Sequence, residues 1–402
     1  METPLLVAVD VGSRFHEVAI GDGSGCVLDG FRIDHDPDGF AAFFDRIEAH
    51  RSGPGQAVRV AMEGYNGWAR PLDSQVLERG WALYNVNNLK LARYKEIFPS
   101  PAKTDAIDTR SMLELFALDG HAGVARNALQ RVAVAPEDHR RLKYLTRRRR
   151  VQVKERAGRL VRLGCELQAL SPGLVAITGS LDNQWFLRFL TCRERLTALP
   201  RLQAKTVSGI RGIGRCYLEK IRAWQRTARF SPDIAFADTD VVDDARAILA
   251  LDERIAALDA RIEALSGESS FATTLRSIPG FGVTGVAELT GEIGTLERFA
   301  GESSLAIYVG VAPLDHSSGL RVKGKRPKCV NDRCQRAMMT CVVRHMACVA
   351  ESRAYYDRKR AEGKTHNQAV RALGRQLVRV MWSMLIHERE YEDRTQNGDA
   401  AA

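Results

Sequence analysis

The sequence predicts an α/β N-terminal domain, a helical middle region with a coiled-coil pattern, and a mainly α C-terminal domain with a helix-hairpin-helix-like turn. Short apolar runs that end in acidic residues predict the first part. Apolar residues spaced alternately by three and four between Ile248 and Leu265 predict the second. The glycine-rich segment IPGFGVTGV marks the third. The predicted boundaries are 1–135, 136–270 and 271–391, and residues 392–402 are expected to form a disordered tail.

The N-terminal elements follow one another with clear local signals. LLVAVDVGS is typical of a buried strand that ends near Asp10, and FHEVAIGDGSGCVLDGFRI predicts two strands around a turn at Gly21 to Gly25. DGFAAFFDRIEAH has helical periodicity, AVRVAMEGY is a second buried strand ending at Glu63, and WALYNVN is a further strand. A second helix between the last two strands and a final helix bearing Asp105 and Asp108 complete a mixed sheet with helices packed on it.

Four carboxylates in this domain predict a metal site. Asp10 and Glu63 lie where buried strands stop, the usual place for active sites in sheets with parallel strands. Asp105 and Asp108 are helix neighbours that repel each other unless a cation lies between them. Carboxylates are hard oxygen ligands suited to Mg²⁺, with Mn²⁺ as an alternative, and Lys103 could hold a phosphate. The competing interpretation makes Thr104 an N-cap, with both aspartates only favouring the helix dipole.

Positive charge is concentrated in two segments. Lys and Arg number 59 against 49 Asp and Glu, and the run from Arg140 to Arg162 contains a single acid, Glu155. A solvated helix face would mix signs, so this helix is expected to contact nucleic acid. The residues expected to do so are Arg147, Arg148, Arg149, Arg150 and Lys154. In the second basic segment, RVKGKRPK, Gly324 and Pro327 predict a loop that presents Arg321, Lys323, Lys325 and Lys328.

Two patterns leave alternatives open. The seam from Ile248 to Leu265 is equally compatible with dimerisation and with an intramolecular helical bundle. IPGFGVTGV could grip a phosphate with backbone N–H groups or could be a tight turn between helices.

Composition excludes several classes of protein. No apolar run approaches the roughly 20 residues of a membrane span, and the first residues lack the basic region of a signal peptide. Eight cysteines without a C-x-x-C pair argue against a structural zinc site. We therefore expect a cytoplasmic protein.

The chain resembles the DEDD transposases of bacterial insertion sequences in two regions. The N-terminal resemblance is at VAVDVGSRFHEVAI, AMEGYNGW and PAKTDAIDTRSM. The C-terminal resemblance extends from LRSIPGFGVTGV through VAPLDHSSG to YYDRKRAEGKTHNQAVRALGRQLVRVMWSML. These transposases are the IS110 family, related to the Piv-type DNA invertase. The resemblance implies a RuvC-like, ribonuclease-H-type fold with Asp10, Glu63, Asp105 and Asp108 as catalytic, metal-binding acids. It also implies a recombinase that acts on donor and target DNA, is guided by a structured noncoding bridge RNA, and assembles as a homo-oligomer, a dimer forming a tetramer. A bacterial protein that associates with the nucleoid when it is on DNA is implied as well.

The resemblance further implies a C-terminal serine that forms a covalent phosphoserine with DNA. The candidates are Ser317 and Ser318, and Ser318 is favoured because it adjoins Gly319. The segment KCVNDRCQRAMM departs from the family pattern Lys-x-Gly-Asn followed by Leu-Arg, since Val330 replaces the glycine and Gln335 the arginine. The leading hypothesis is an RNA-guided recombinase. Its alternatives are a metal-dependent Holliday-junction-type endonuclease that uses water as nucleophile, and a non-enzymatic RNA-binding scaffold.

Overall fold

The computed structural model describes residues 3–64, 67–97, 105–118, 128–312, 314–318, 321–325 and 330–392. Within these ranges, Asp105 and the strands at 314–318 and 321–325 are described by their backbone only. The chain divides into two compact units, residues 1–134 with 295–298, and residues 135–294 with 299–402. Each unit is described by itself.

The first unit is built on a six-stranded mixed sheet. Its strands are β1 (Leu5–Val11), β2 (Phe15–Gly21), β3 (Val27–Asp34), β4 (Val58–Glu63), β5 (Ala82–Val86) and β6 (Leu129–Arg131). Their spatial order is β3-β2-β1-β4-β5-β6. Strands β1, β4 and β5 are parallel, and β2, β3 and β6 pair antiparallel with their neighbours. The predicted mixed sheet is confirmed, including the hairpin turn after Gly21.

Helices cover both faces of this sheet. They are α1 (Pro37–His50), α2 (Arg70–Glu78), α3 (Asn88–Ile97) and α4 (Asp105–Leu118). Phe43 of α1 and Leu72 of α2 pack with Val7 and Val60 on one face. Apolar residues of α3 and α4 pack on the other face with the alternate sheet residues, among them Leu6, Ala8 and Ala61. The two-residue periodicity of the buried strands thus separates the two cores.

The second unit is mainly helical. Its first helices are α5 (Glu137–Leu170), α6 (Gln184–Leu190), α7 (Ala204–Ser208), α8 (Arg215–Thr227), α9 (Ile234–Ala237), α10 (Asp240–Glu268), α11 (Ser270–Arg276) and α12 (Val283–Ile293). They are followed by α13 (Glu302–Tyr308), the strands β7 (Leu314–Ser318) and β8 (Arg321–Lys325), and then α14 (Asp332–Cys348), α15 (Ala350–Ala361) and α16 (His366–Ile386).

Helix α10 carries the seam of alternating apolar residues, and α5 of the same chain covers it. Leu142 and Leu145 of α5 share a core with Leu258 and Ile262 of α10. Leu163 shares another core with the beginning of α10. The helices are therefore antiparallel, and the structure realises the intramolecular alternative for this seam.

The prediction of a loop from Arg321 onward is wrong for residues 321–325. Strand β8 pairs antiparallel with β7, with Gly324 opposite Asp315 and Arg321 opposite Ser318. Backbone hydrogen bonding to β7 overrides the turn preference of Gly324, since ladder pairing depends on the partner strand as much as on local propensity. Lys328 and Pro327 lie outside the described residues, as do Lys103, Thr104 and the predicted tail from residue 393 onward.

None of the described helices has the length and low polarity needed to span a membrane.

Candidate active site and nucleic-acid interface

Asp10 and Glu63 lie side by side at the carboxyl ends of two adjacent parallel strands. The register of β1 and β4 pairs Asp10 directly with Glu63. Leu6, Ala8 and Ala61 belong to the core beneath α4, so alternation along each strand directs Asp10 and Glu63 to that same face. Both residues are half-buried. Two carboxylates from distant parts of the sequence are thereby neighbours.

The direction of α4 carries its first residues toward this pair. Leu113 lies against Gly21, which pairs with Leu6 at the start of β1, and Ala117 lies against Gly25 in the turn beyond. The helix therefore runs antiparallel to β1. Going back from Leu113 to Asp105 covers about 12 Å at 1.5 Å per residue. Leu6 to Asp10 covers about 13 Å along the strand, so the start of α4 is level with Asp10.

Asp108 lies on the sheet-facing side of α4, four residues before the fully buried Met112. Its carboxylate is ion-paired with Lys95 of α3, with 2.8 Å between Lys95 Nζ and Asp108 Oδ1. Sequence analysis missed Lys95. It also missed Glu17, which is opposite Asp10 in the β1–β2 register and pairs with Arg32 at 2.5 Å.

Among the side chains that the structure describes, no group of three or more His, Cys, Asp or Glu residues is arranged to hold a metal ion. The side chain of Asp105 is not among them. The metal prediction for Asp10, Glu63, Asp105 and Asp108 therefore stays a prediction. The donor chemistry suits it, because every candidate ligand is a hard carboxylate oxygen of the kind that Mg²⁺ prefers.

Ser317 and Ser318 are the last two residues of β7. Ser318 is opposite Arg321, so the strands of this hairpin are joined by two residues, 319 and 320, which lie outside the described residues. Lys323 and Lys325 are on β8, described by backbone alone. The hairpin is therefore a defined element, in which the serines immediately precede the connection.

The base of the serine hairpin is fixed by Asn331 and Gln335. The backbone N–H of Asn331 donates to the carbonyl oxygen of Tyr308 at 3.0 Å. Gln335 Nε2 donates to the carbonyl oxygen of Gly310 at 2.9 Å. Gly310 has φ +72°, and a Cβ there would lie 2.2 Å from Gln335 Nε2, so the contact requires glycine. Gln335 thus anchors the chain just before β7.

Asn331 also belongs to a buried polar network that sequence analysis missed. Its Nδ2 donates to Glu292 Oε2 at 2.8 Å and to Tyr308 Oη at 2.7 Å. Glu292 is fully buried, and Arg147 donates to it from Nε at 2.6 Å and from Nη2 at 2.9 Å. Burial by itself raises the pKa of Glu292, but hydrogen bonds from Arg147 and Asn331 outweigh it and leave the pKa lowered. The carboxylate therefore stays charged at neutral pH and ties α5, α12 and α14 together.

Most arginines of the basic helix α5 have acidic partners within the chain. Arg147 pairs with Glu292, Arg149 with Asp259, and Arg150 with Glu288. The same pattern continues along α5 in the pairs of Arg156 with Asp252 and of Arg159 and Arg162 with Asp244. The acids come from α10 and α12, so the missing negative charge of α5 is supplied by its packing partners.

Arg148 and Lys154 differ from these neighbours. Both side chains are exposed, and neither has an acidic partner among the described residues. Arg148 donates only to Tyr144 Oη, at 3.3 Å. Within the predicted nucleic-acid-binding set on α5, these two have charges that packing has not already neutralised.

The IPGFGVTGV segment joins α11 to α12 in a tight turn. Gly280 has φ +83°, and a Cβ there would lie 2.5 Å from the backbone nitrogen of His345 on α14. Close packing therefore explains Gly280. Gly282, at the N-cap of α12, is exposed.

Two features are typical of a nuclease-like transposase. One is the mixed sheet with acids at the ends of β1 and β4, and the other is the helical unit with a serine hairpin. Two family models match the chain. The transposase model DEDD_Tnp_IS110 matches residues 7–172, and the model of the transposase IS116/IS110/IS902 family matches residues 272–357. The first range contains the four acids and the second contains both serines.

Relatives support the same grouping. The chain is 29% identical, over 80% of each chain, to the uncharacterized 43.6 kDa protein of insertion element IS110 from Streptomyces coelicolor. It is 27% identical, over 95% of each chain, to the uncharacterized 44.8 kDa protein of IS116 from Streptomyces clavuligerus. It is 25% identical, over 91% of this chain and 90% of the relative, to the mini-circle putative transposase for IS117 from Streptomyces coelicolor. The chain belongs to the IS110 family of insertion-sequence transposases.

Proposed function

We propose that this transposase cuts and rejoins donor and target DNA through a covalent phosphoserine, with a magnesium site of four acids on a RuvC-like unit. In this proposal a structured noncoding bridge RNA pairs with both DNAs, and the protein acts as a homo-oligomer, a dimer that assembles into a tetramer, in the bacterial cytoplasm. The observation that carries the proposal is the direct register pairing of Asp10 with Glu63, on the face toward which α4 brings Asp105 and Asp108.

In this proposal Asp10, Glu63, Asp105 and Asp108 hold Mg²⁺, or Mn²⁺ in its place. The bound ion supplies positive charge that neutralises the phosphodiester during its displacement. The chain's own part is to keep these carboxylates adjacent. The rigid ladder of β1 and β4 does this for Asp10 and Glu63, because their backbones are fixed in register. Lys95 holds Asp108 in the absence of the ion.

Ser318 is the proposed nucleophile, and Ser317 is the alternative. The serine hydroxyl loses its proton, its oxygen bonds to the phosphorus, and the bond from phosphorus to the deoxyribose oxygen breaks. The leaving sugar hydroxyl takes up a proton. Attack of another sugar hydroxyl on the phosphoserine reverses these steps and rejoins DNA without loss of bond energy. Arg321 is opposite Ser318 in the hairpin, and its charge would stabilise the phosphate.

The covalent link can be tested directly. The protein is expressed together with the noncoding flanks of its element, and any RNA that copurifies is sequenced. The complex is then incubated with Mg²⁺ and a nicked DNA duplex that spans an element junction. We expect a protein–DNA adduct that resists denaturation and maps by mass spectrometry to the peptide containing Ser318. It should be lost in Ser318→Ala and in Asp10→Asn, and retained in Ser352→Ala, a serine on α15.

Other outcomes separate the alternatives. Loss of the adduct in Ser317→Ala but not in Ser318→Ala would move the nucleophile by one residue. Metal-dependent cleavage with no adduct in any variant would favour the endonuclease that uses water. Rearrangement of DNA in cells that is indifferent to Asp10→Asn would favour the RNA-binding scaffold. A discrete copurifying RNA encoded beside the gene would support guidance, and its absence from an active preparation would contradict it.

A further inference from the structure

The second unit contains a groove that has no assigned role. It has a volume of about 560 Å³ and lies between α14 and α16 beside α5. Its lining consists of Arg150, Gln335, Arg336, Met339, Thr340, Asn367 and Arg371. None of these residues is acidic, so the groove is lined by cationic, neutral polar and apolar groups alone.

Two of the three arginines in this lining have uncompensated charge. Arg150 is neutralised by Glu288, to which it donates from Nε at 2.7 Å and from Nη2 at 2.5 Å. Arg336 and Arg371 have no acidic partner among the residues that the structure describes. This contrasts with Arg375, one turn further along α16, which pairs with Glu302. A site with two unneutralised guanidinium groups attracts anions, and a guanidinium can bind a phosphate with two hydrogen bonds.

The groove adjoins the base of the serine hairpin. Gln335, which lines the groove, holds Gly310 through its side chain, and its own N–H donates to the carbonyl oxygen of Asn331 at 2.8 Å. Gly310 lies shortly before β7 in the sequence and Asn331 follows β8, so the chain is tied to the groove wall on both sides of the hairpin. A polymer held in the groove therefore passes the root of the element that carries Ser318.

We infer that this groove binds the phosphodiester backbone of the DNA strand on which the serine hairpin acts, with Arg336 and Arg371 each neutralising one phosphate. Asn367 and Thr340 offer neutral hydrogen-bonding groups, and Met339 offers an apolar surface for a sugar. The inference rests on the proposed function, since the choice of DNA over RNA follows from the serine's proposed target.

The test is the salt dependence of DNA binding. Affinity of the full chain for a fluorescent DNA duplex spanning an element junction is measured between 50 and 200 mM salt for wild type, Arg336→Gln, Arg371→Gln and the double variant. Each lost phosphate contact reduces the slope of log K against log salt by about 0.9, so wild type should lose about 12-fold more affinity than the double variant over this range. Arg333→Gln is the matched control, because Arg333 is exposed on α14 but does not line the groove.

A double variant with the wild-type slope on DNA would overturn the inference. So would an equal reduction of the slope in Arg333→Gln, or a reduction seen only with a structured RNA probe. The double replacement of both arginines by lysine keeps the charge and should keep the slope, which separates electrostatics from misfolding. Failure of the proposed function is distinguishable, because it would appear as a missing serine adduct in wild type while the groove variants still change DNA binding.

Discussion

Replacing Arg147 by methionine tests whether the arginines of α5 stabilise the fold by pairing with acids of α10 and α12. The change removes both hydrogen bonds to Glu292 while retaining an apolar side chain of similar length. Glu292 would keep its charge inside the protein, and Asn331 would still donate a neutral hydrogen bond to it. Loss of one partner from a fully buried ion pair costs about 3–5 kcal/mol. Because 40% of the Arg147 side chain is exposed, solvent screening reduces the expected cost to about 2 kcal/mol.

The assay is urea or thermal unfolding, monitored for the transition of the second unit, with Arg148→Met as the matched control. Arg148 is the next residue of the same run and has no acidic partner among the described residues, so its replacement should change the free energy of unfolding by less than about 0.5 kcal/mol. A cost of about 2 kcal/mol in Arg147→Met corresponds to a decrease in Tm of roughly 5 °C.

The pH dependence of this cost has a definite sign. The folded-state pKa of Glu292 is lowered, so the stabilisation is present above the ordinary glutamate pKa and is lost as the pH falls through the folded value. The difference between wild type and Arg147→Met should therefore shrink in acid. Equal stabilities of the Arg147 and Arg148 variants at neutral pH would refute this stabilising role of the ion pairs. Nucleic-acid contact would then be the better explanation of the basic residues on α5.

Three further predictions concern other polar groups. The pKa of His16 in the folded protein is lowered to about 4, first by burial and then by His35. Only the unfolded chain therefore takes up a proton at His16 between about pH 6.5 and 4, and the free energy of unfolding should fall by up to about 3 kcal/mol over this range. Urea titrations should show this part of the pH dependence missing in His16→Phe, and an unchanged profile would contradict the assignment. Asn331→Ala should lower the free energy of unfolding by about 2 kcal/mol in thermal unfolding, because it removes the cap of α14 and a donor to Glu292. Asn331→Ser should recover about 1 kcal/mol by restoring the cap. No recovery would mean that the cap contributes nothing. Lys95→Met should raise Mn²⁺ affinity about 5-fold in calorimetric titration, because the ion no longer displaces an ammonium group worth about 1 kcal/mol, whereas a fall would make Lys95 a positioning residue for the metal.

Local signals were sufficient for much of the first unit. The apolar runs ending at Asp10 and Glu63 predicted two buried strands, and the structure places them next to each other and in register. The runs could not predict this register, because it depends on hydrogen bonds between segments far apart in the chain. Helix α3 and its Lys95 were missed, because NLKLARYKEI has weak amphipathic periodicity.

The partners of the α5 arginines could not be read from α5 itself. Arg147 meets Glu292 across 145 positions of sequence, and Arg150 meets Glu288 across 138. A signal existed in the segment VAELTGEI, where two glutamates four residues apart interrupt an apolar helix. Buried acids require cationic partners, so that spacing could have directed attention to the paired arginines.

Strand β8 was missed for a different reason. Gly324 and the lysines around it have low strand propensity, and only pairing with β7 makes them a strand. Sequence alone placed the serines beside a glycine but could not place them at the end of a hairpin strand whose base is held by Asn331 and Gln335.

The central claim is that acids from β1, β4 and α4 hold a divalent ion together, and Mn²⁺ binding measured by electron paramagnetic resonance tests it most directly. We predict that the wild-type chain binds Mn²⁺ in competition with Mg²⁺, and that Asp10→Asn, Glu63→Gln and Asp108→Asn each abolish this binding without changing the far-ultraviolet circular dichroism. Asp45→Asn, on the exposed side of α1 across the sheet, should bind as wild type does. Binding that survives in both Asp10→Asn and Glu63→Gln would contradict the account.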